Sequence, residues 1–196
     1  MRTKSLMPID ELNKLHSYLI SLSTSEKKVD VEEIEDSVLD LLIMSYAFGC
    51  DSVNEDLDTS VEVDVNDMNR VIFTKIKEKT FEDRIRQYAS KKAENDENTK
   101  VRIDVESIMR VAETECHRVY CESQMISAKK TNLDLKKTWI TMLDEKVRDT
   151  HEFLENVTIG IDEKFYTFDG DSALNPGGFG NAENNINCRC ETVFSL

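Results

Sequence analysis

The rhythm of apolar residues changes once along this chain, near Asn132, and that change constrains its fold more than any other feature. Before it, apolar side chains recur every three or four residues, the period of an amphipathic helix; after it they alternate, the period of a strand with one buried face. The stretch "IDELNKLHSYLISL" puts Leu12, Leu15, Leu19 and Leu22 on one helical stripe, with Asp10 as a cap after Pro8. A second helix is expected from Asp30 to Phe48, with Ile34, Val38, Leu41 and Leu42 on its buried face. Its acidic first turn suits the positive end of the helix dipole, and Gly49 supplies a stop signal. A third helix is expected from Asp67 through Tyr88. The fourth, "VESIMRVAETECHRVYCESQMISAKK", carries Ile108, Val111, Ala112, Val119 and Met125 at helical spacing. Beyond Asn132, "KKTWITML", "NVTIGIDEKFYTF" and "CRCETVFSL" alternate. This order predicts an α+β fold, a helical N-terminal part followed by a small, mainly antiparallel sheet packed on a long helix.

The interruptions fit that outline. The polar run "SKKAENDENTK", Ser90 to Lys100, reads as a connection, and "DEKVRDTHEFLEN" as a short helix or turn. The stretch "GDSALNPGGFGNAENN" holds four of the six glycines and one of the two prolines, so a long loop is expected before the last strand. A length of 196 residues suits one compact domain or one and a half.

Net charge is −14, which disfavours diffuse binding to nucleic acid or an anionic membrane; any DNA contact has to be local. Between Val29 and Asn69 there are thirteen Asp and Glu and no Lys or Arg. Part of this window, "DLDTSVEVDVND", has the offsets of a calcium loop, but Val61 stands where the sharp turn needs Gly, and the reading favoured is a solvated loop or edge strand. The longest apolar stretch is too short and too polar to span a membrane, and the N-terminus lacks the apolar core of a secretory signal, so an intracellular or particle-enclosed location is expected. Five cysteines are then expected as reduced thiols, with Cys50, Cys116 and Cys121 as small buried hydrophobes within helices.

Three stretches in the second half resemble the phage Mu F-like minor head protein family, also called head morphogenesis proteins. They are "RVAETECHR" at Arg110 to Arg118, "TWITMLDEKVRDTHEFLEN" at Thr138 to Asn156, and "INCRC" at Ile186 to Cys190 after a Pro-Gly loop. Their order and spacing agree from about Phe81 to Glu191, so the resemblance assigns residues 81–196 to the Mu F-like domain. It leaves residues 1–80 as a helical region and a candidate docking part. The motif residues carried over are Thr114, Glu115, His117, Arg118, Trp139, Asp144, Arg148, His151, Asn187, Cys188, Arg189 and Cys190. The chain departs from the family where Glu113 replaces a frequent Arg, where Arg148 and His151 replace a Cys-x-x-Cys, and where Asn156 takes a turn position that is usually Gly.

Several roles are open to these residues. Glu115 points toward the apolar face of its helix, where an unpaired carboxylate costs several kcal/mol, so it needs a partner such as Arg148 or Arg189, or else serves as a general acid or base. Trp139 is expected as a core anchor and Asp144 as a cap of the segment it starts. His151 can bind a metal, titrate in a catalytic pair or hydrogen-bond a carbonyl. Within the last strand, Cys188 and Cys190 are expected to face one side and Arg189 the other. With His151 they supply three of the four ligands a zinc site wants, the fourth to come from Asp149, His117 or Cys116, and buried core positions are the competing reading. A disulfide across one residue is strained, and deaminase, phosphate-loop and dinucleotide motifs are missing.

The resemblance implies a minor virion protein of a tailed phage or prophage, located in the head interior or portal region and in the host cytoplasm during assembly. It implies portal or capsid proteins as partners, candidate contact with packaged DNA, and neither a small-molecule substrate, nor a membrane, nor enzymatic activity. Because this family's domain is also found fused to effectors, a phage-delivered nuclease or ADP-ribosyltransferase is the alternative, although no further domain is expected after Leu196. A zinc-stabilised adaptor is the other.

Overall fold

The computed structural model describes residues 8–25, 29–89 and 103–196. Its axis is the helix α5 (Val105–Lys130), buried along most of its length and capped at its start by Asp104, whose carboxylate accepts from the Ser107 amide at 3.1 Å. Against it lie α1 (Ile9–Thr24), α2 (Val31–Leu57), α3 (Val65–Ile72) and α4 (Phe81–Ala89). Leu12, Leu15, Leu19, Ile34, Val38, Leu42, Ile72, Phe81, Ile85, Ile108 and Val119 join in one apolar core. The helical expectations are met in α5 and in the buried stripe of α1, where Pro8 and not Asp10 takes the cap position and Asp10 lies within the first turn, and they are altered in the two between.

The second helix does not stop at Gly49 but continues to Leu57. Gly49 sits where α2 crosses α5, and a Cβ there would lie 1.9 Å from Ser123 Oγ and 2.4 Å from the Tyr120 carbonyl oxygen. The glycine permits close approach of two helices rather than ending one. The expected third helix is broken in two. Lys77 and Glu78 take positive φ in a tight turn between Ile76 and Lys79, and Thr80 restarts the chain as α4. Thr80 and Asp83 cap each other reciprocally, the Thr80 amide donating to Asp83 at 2.9 Å and the Asp83 amide to Thr80 Oγ1 at 3.3 Å. Within the acidic window, the Asp58 backbone closes α2 in the left-handed region, and the Asp64 carboxylate caps α3 and pairs with Lys130. The polar run from Ser90 to Lys100 lies outside the described residues.

After α5 the chain forms a three-stranded antiparallel sheet in the order β2 (Thr158–Gly160), β1 (Lys136–Ile140), β5 (Glu191–Ser195). Trp139 stands opposite Thr192, and Lys137 lies between Ile159 and Phe194. The expected strand through "NVTIGIDEKFYTF" is two strands in different sheets, since β3 (Phe165–Tyr166) pairs only with β4 (Ser172–Ala173). The short helices α6 (Asp149–Glu152) and α7 (Ala182–Asn185) lie in the connections. Val53, Met125, Ala128, Leu135 and Phe194 pack between sheet and helices. The architecture is α+β, and no described helix is long and apolar enough to cross a membrane.

Candidate functional site

Two polar assemblies occupy neighbouring faces of α5. The first is centred on Glu115, whose side chain is fully buried. Its Oε1 accepts from Arg84 of α4 at 2.9 Å and its Oε2 from Arg118 Nε at 2.9 Å. Arg118, also buried, reaches Glu122 at 2.9 Å and donates to the Val71 carbonyl at 2.9 Å. The carboxylate's partners are therefore Arg84 and Arg118, not Arg148 or Arg189. Arg118 lies one helical turn along from Glu115, and α4 packs on the same flank. Arg148 instead donates to the Ile186 carbonyl, while Arg189 forms a bidentate pair with Asp144 at 2.7 and 2.6 Å on the far side. That guanidinium holds the Asp144 carboxyl down at about 2, and Asp144 also accepts from the Lys146 amide. Thr114 is half-buried, its hydroxyl without a hydrogen-bond partner among the described residues.

The second assembly joins α5 to the approach to β5. His117 Nε2 donates to the Cys190 carbonyl at 2.8 Å, and its Nδ1 is buried with no hydrogen-bond partner among the described residues. Cys121 Sγ lies 3.6 Å from that Nε2. On the other side of Cys190, His151 Nδ1 faces two sulfurs, 3.6 Å from Cys188 and 3.4 Å from Cys190. All three ligand atoms lie within 4.8 Å of one another and all three residues are buried. Cys188 and Cys190 precede β5 rather than belonging to it, and the extended Cys188-Arg189-Cys190 segment still turns both thiols inward. Asn187, at φ +56, makes the left-handed turn that starts this segment.

An aromatic wall fixes the imidazole. The Trp139 ring meets His151 edge-on at 5.4 Å and Phe165 at 5.1 Å, and Phe179 stacks on His151 at 5.4 Å with planes 27° apart. Trp139 is fully buried, and Asn156, at φ +62, returns the chain so that its amide donates to the Trp139 carbonyl. The two thiols are pushed in opposite directions. The neighbouring Cys190 thiol, and then the nearby His151 imidazole, hold Cys188 well below the usual thiol range, while Cys188 and burial together push Cys190 far up. Of the residues expected to complete a ligand set, none joins this group. Asp149 is exposed, Cys116 lies in the helical core where burial pushes its thiol up to about 12, and His117 is engaged by the Cys190 carbonyl.

Other residues build the site without a signal in the apolar pattern. Asp171 gathers the glycine-rich loop, accepting from the amides of Ser172, Gly180 and Asn181 at 2.8, 3.1 and 2.9 Å. Gly177, at φ +81, brings that loop onto α5, where a Cβ would stand 3.2 Å from Arg118 Cα and 3.4 Å from His117 Nδ1. Lys137 is buried in the strand, its ammonium donating to the Ile161 and Leu174 carbonyls at 2.8 Å each. The glycine cluster "NPGG" was the visible trace of the loop contact; a lysine in an alternating strand carries no trace of its burial.

With both assemblies located, the sequence match is informative. Residues 67–193 match the family described as Phage Mu protein F like protein, a span that contains every residue of the two assemblies. The chain belongs to the phage Mu protein F like family. It is 33% identical over 99 residues to an NAD(+)–arginine ADP-ribosyltransferase EFV of Enterococcus faecalis, a match covering 49% of this chain and 20% of that protein. It is 32% identical over 87 residues to the minor head protein GP7 of Bacillus phage SPP1, covering 43% of this chain and 28% of that protein. The chain thus spans under a third of the curated relatives it matches. No solved structure matches it significantly.

Proposed function

We propose that this Mu F-like protein is a minor head protein of a tailed phage or prophage, acting in head assembly by binding the portal or inner capsid rather than by catalysis. The observation that carries this reading is the family match together with its likeness to a phage minor head protein. The charge distribution supplies the mode of binding. Residues 29–69 carry thirteen acidic and no Lys or Arg side chains, and α1 and α2 border a groove lined by Glu11, Tyr18, Glu33, Asp40, Leu41 and Met44, where one cation, Lys14, is paired with Glu11. Acidic rims around an apolar floor suit a basic amphipathic segment of the partner, with complementarity setting orientation and encounter rate. Residues 1–80 would then form the docking part and residues 81–196 the rigid module that presents it, placing the protein in the head interior or at the portal.

The non-catalytic reading is supported by the state of the most enzyme-like group. Glu115 is neutralised by two guanidinium groups and sealed from solvent, an arrangement that suits pinning helices together better than proton transfer. The transferase-named relative shares only a fifth of its length with this chain, so the named activity does not transfer with the match. Co-expression with the portal of the same phage tests the proposal. The complex should co-elute on size exclusion at low salt, weaken as salt rises, and be lost in Glu33→Lys/Asp40→Lys. Absence of co-elution at every salt concentration would sink it.

A further inference from the structure

We propose that His151, Cys188 and Cys190 form a zinc site that clamps the approach to β5 onto α6 beneath the Trp139 wall. The inference stands apart from the head-protein reading, since it concerns only the donors.

Three features of the geometry point to a metal. The first is distance. With Zn–S of about 2.3 Å and Zn–N of about 2.0–2.1 Å, tetrahedral angles put sulfur and nitrogen about 3.5 Å apart. The two separations here are 3.6 and 3.4 Å. The second is the count of lone pairs. An imidazole nitrogen offers one lone pair or one N–H, which satisfies one thiol; two sulfurs converging on the same Nδ1 fit a common ion better than a hydrogen-bond network. The third is charge. Two thiolates and a neutral imidazole around Zn²⁺ sum to zero, so the complex can be buried without the penalty of an unpaired charge. Thiolate and imidazole donors are also the set that selects zinc over the hard cations.

The surroundings are prepared for it. Phe179 and Trp139 hold the imidazole plane, and the left-handed turn at Asn187 fixes where the Cys188 sulfur emerges. Such preorganisation lowers the cost of assembling ligands. Cys188 also borders a surface recess with Glu113, Lys146, Arg148, Asn187 and Arg189. His117 and Cys121 are held at the Cys190 carbonyl on the α5 side, so the three donors named are the ones available to the ion. His151 and Cys188 are 37 residues apart, so the ion closes a long loop, where a cross-link removes much unfolded-state entropy.

The test uses the full chain, purified in reductant, stripped with chelator and titrated with Zn²⁺ and, separately, with Co²⁺. One equivalent of zinc per chain is expected, with a raised melting temperature, and cobalt should give a thiolate charge-transfer band and tetrahedral d–d bands. Cys188→Ser, Cys190→Ser and His151→Ala should each abolish the cobalt spectrum, while Cys50→Ser and Cys116→Ser keep it. Wild-type protein that binds neither ion, or a folded triad variant that binds both as well as wild type, overturns the proposal. The wild-type titration decides even where a triad variant fails to fold.

Discussion

Replacing Glu115 by alanine should be among the most damaging single changes in this protein. The substitution removes a fully buried carboxylate and leaves Arg118, whose side chain is 6% exposed, and Arg84, at 19%, without their common partner. Breaking a buried pair from one side costs about 3–5 kcal/mol, because the remaining charge stays desolvated. Arg118 keeps Glu122 and the Val71 carbonyl, and water can reach part of Arg84, so the lower end applies, about 3 kcal/mol. For a domain of this size each kcal/mol moves the melting temperature by about 2–4 °C, which predicts a fall of about 6–12 °C. With a urea m-value of about 2 kcal/mol/M the midpoint drops by about 1.5 M. Circular dichroism and the fluorescence of the single tryptophan, Trp139, read helices and sheet separately and should fall together. Glu115→Gln should lie between wild type and alanine, keeping acceptor geometry on one side while losing charge. A loss below about 1 kcal/mol for alanine would refute the claim that this carboxylate holds α4 to α5.

Gly49→Ala should be costly although alanine is the better helix former. The new methyl meets the Tyr120 carbonyl at 2.4 Å, and backbone cannot swing aside, so the two helices must part, at about 1–3 kcal/mol by thermal denaturation. Gly49→Ala within about 0.3 kcal/mol of wild type would mean the helices do not cross there. Lys137 gives a pH signature. Burial first, then the charge of Lys129, lower its ammonium to about 8 from an unfolded value of 10.5. Below pH 8 both states are protonated and the full cost of burying the charge is present. Between about 8 and 10.5 the unfolded chain holds the extra proton, so stability rises with pH. Buried thiols such as Cys116 act oppositely at high pH, so the effect is read as the difference between wild type and Lys137→Met. The advantage of the methionine variant should shrink from pH 8 to 10, and a difference independent of pH counts against a charged, buried Lys137.

The change of period at Asn132 was enough to read the α+β class, because burial of one helix stripe or one strand face leaves its spacing in the sequence. Boundaries were less legible where a residue has two uses. Gly49 reads as a helix stop or as a close packing contact, and only the crossing partner, Tyr120 on α5, decides between them. The break before α4 did leave a local trace, the Thr80-Phe81-Glu82-Asp83 capping pattern, which the continuing apolar rhythm of Ile76, Phe81 and Ile85 concealed.

The candidate site shows the same division between need and partner. That Glu115 required a cation followed from its place on an apolar face, but the choice of Arg84 and Arg118 depended on which flank α4 covers, and spacing does not encode that. The convergence of His151 with the two thiols across 37 residues depended in turn on two asparagines in the left-handed region. Asn156 carries the chain back under Trp139 after α6, and Asn187 turns it into the Cys188-Arg189-Cys190 segment. Asn is among the few residues other than Gly that adopt this conformation at low cost. Asn156, at a position where the resemblance led to the expectation of Gly, thus makes the turn itself, and with it the geometry on which the thiol and imidazole cluster depends.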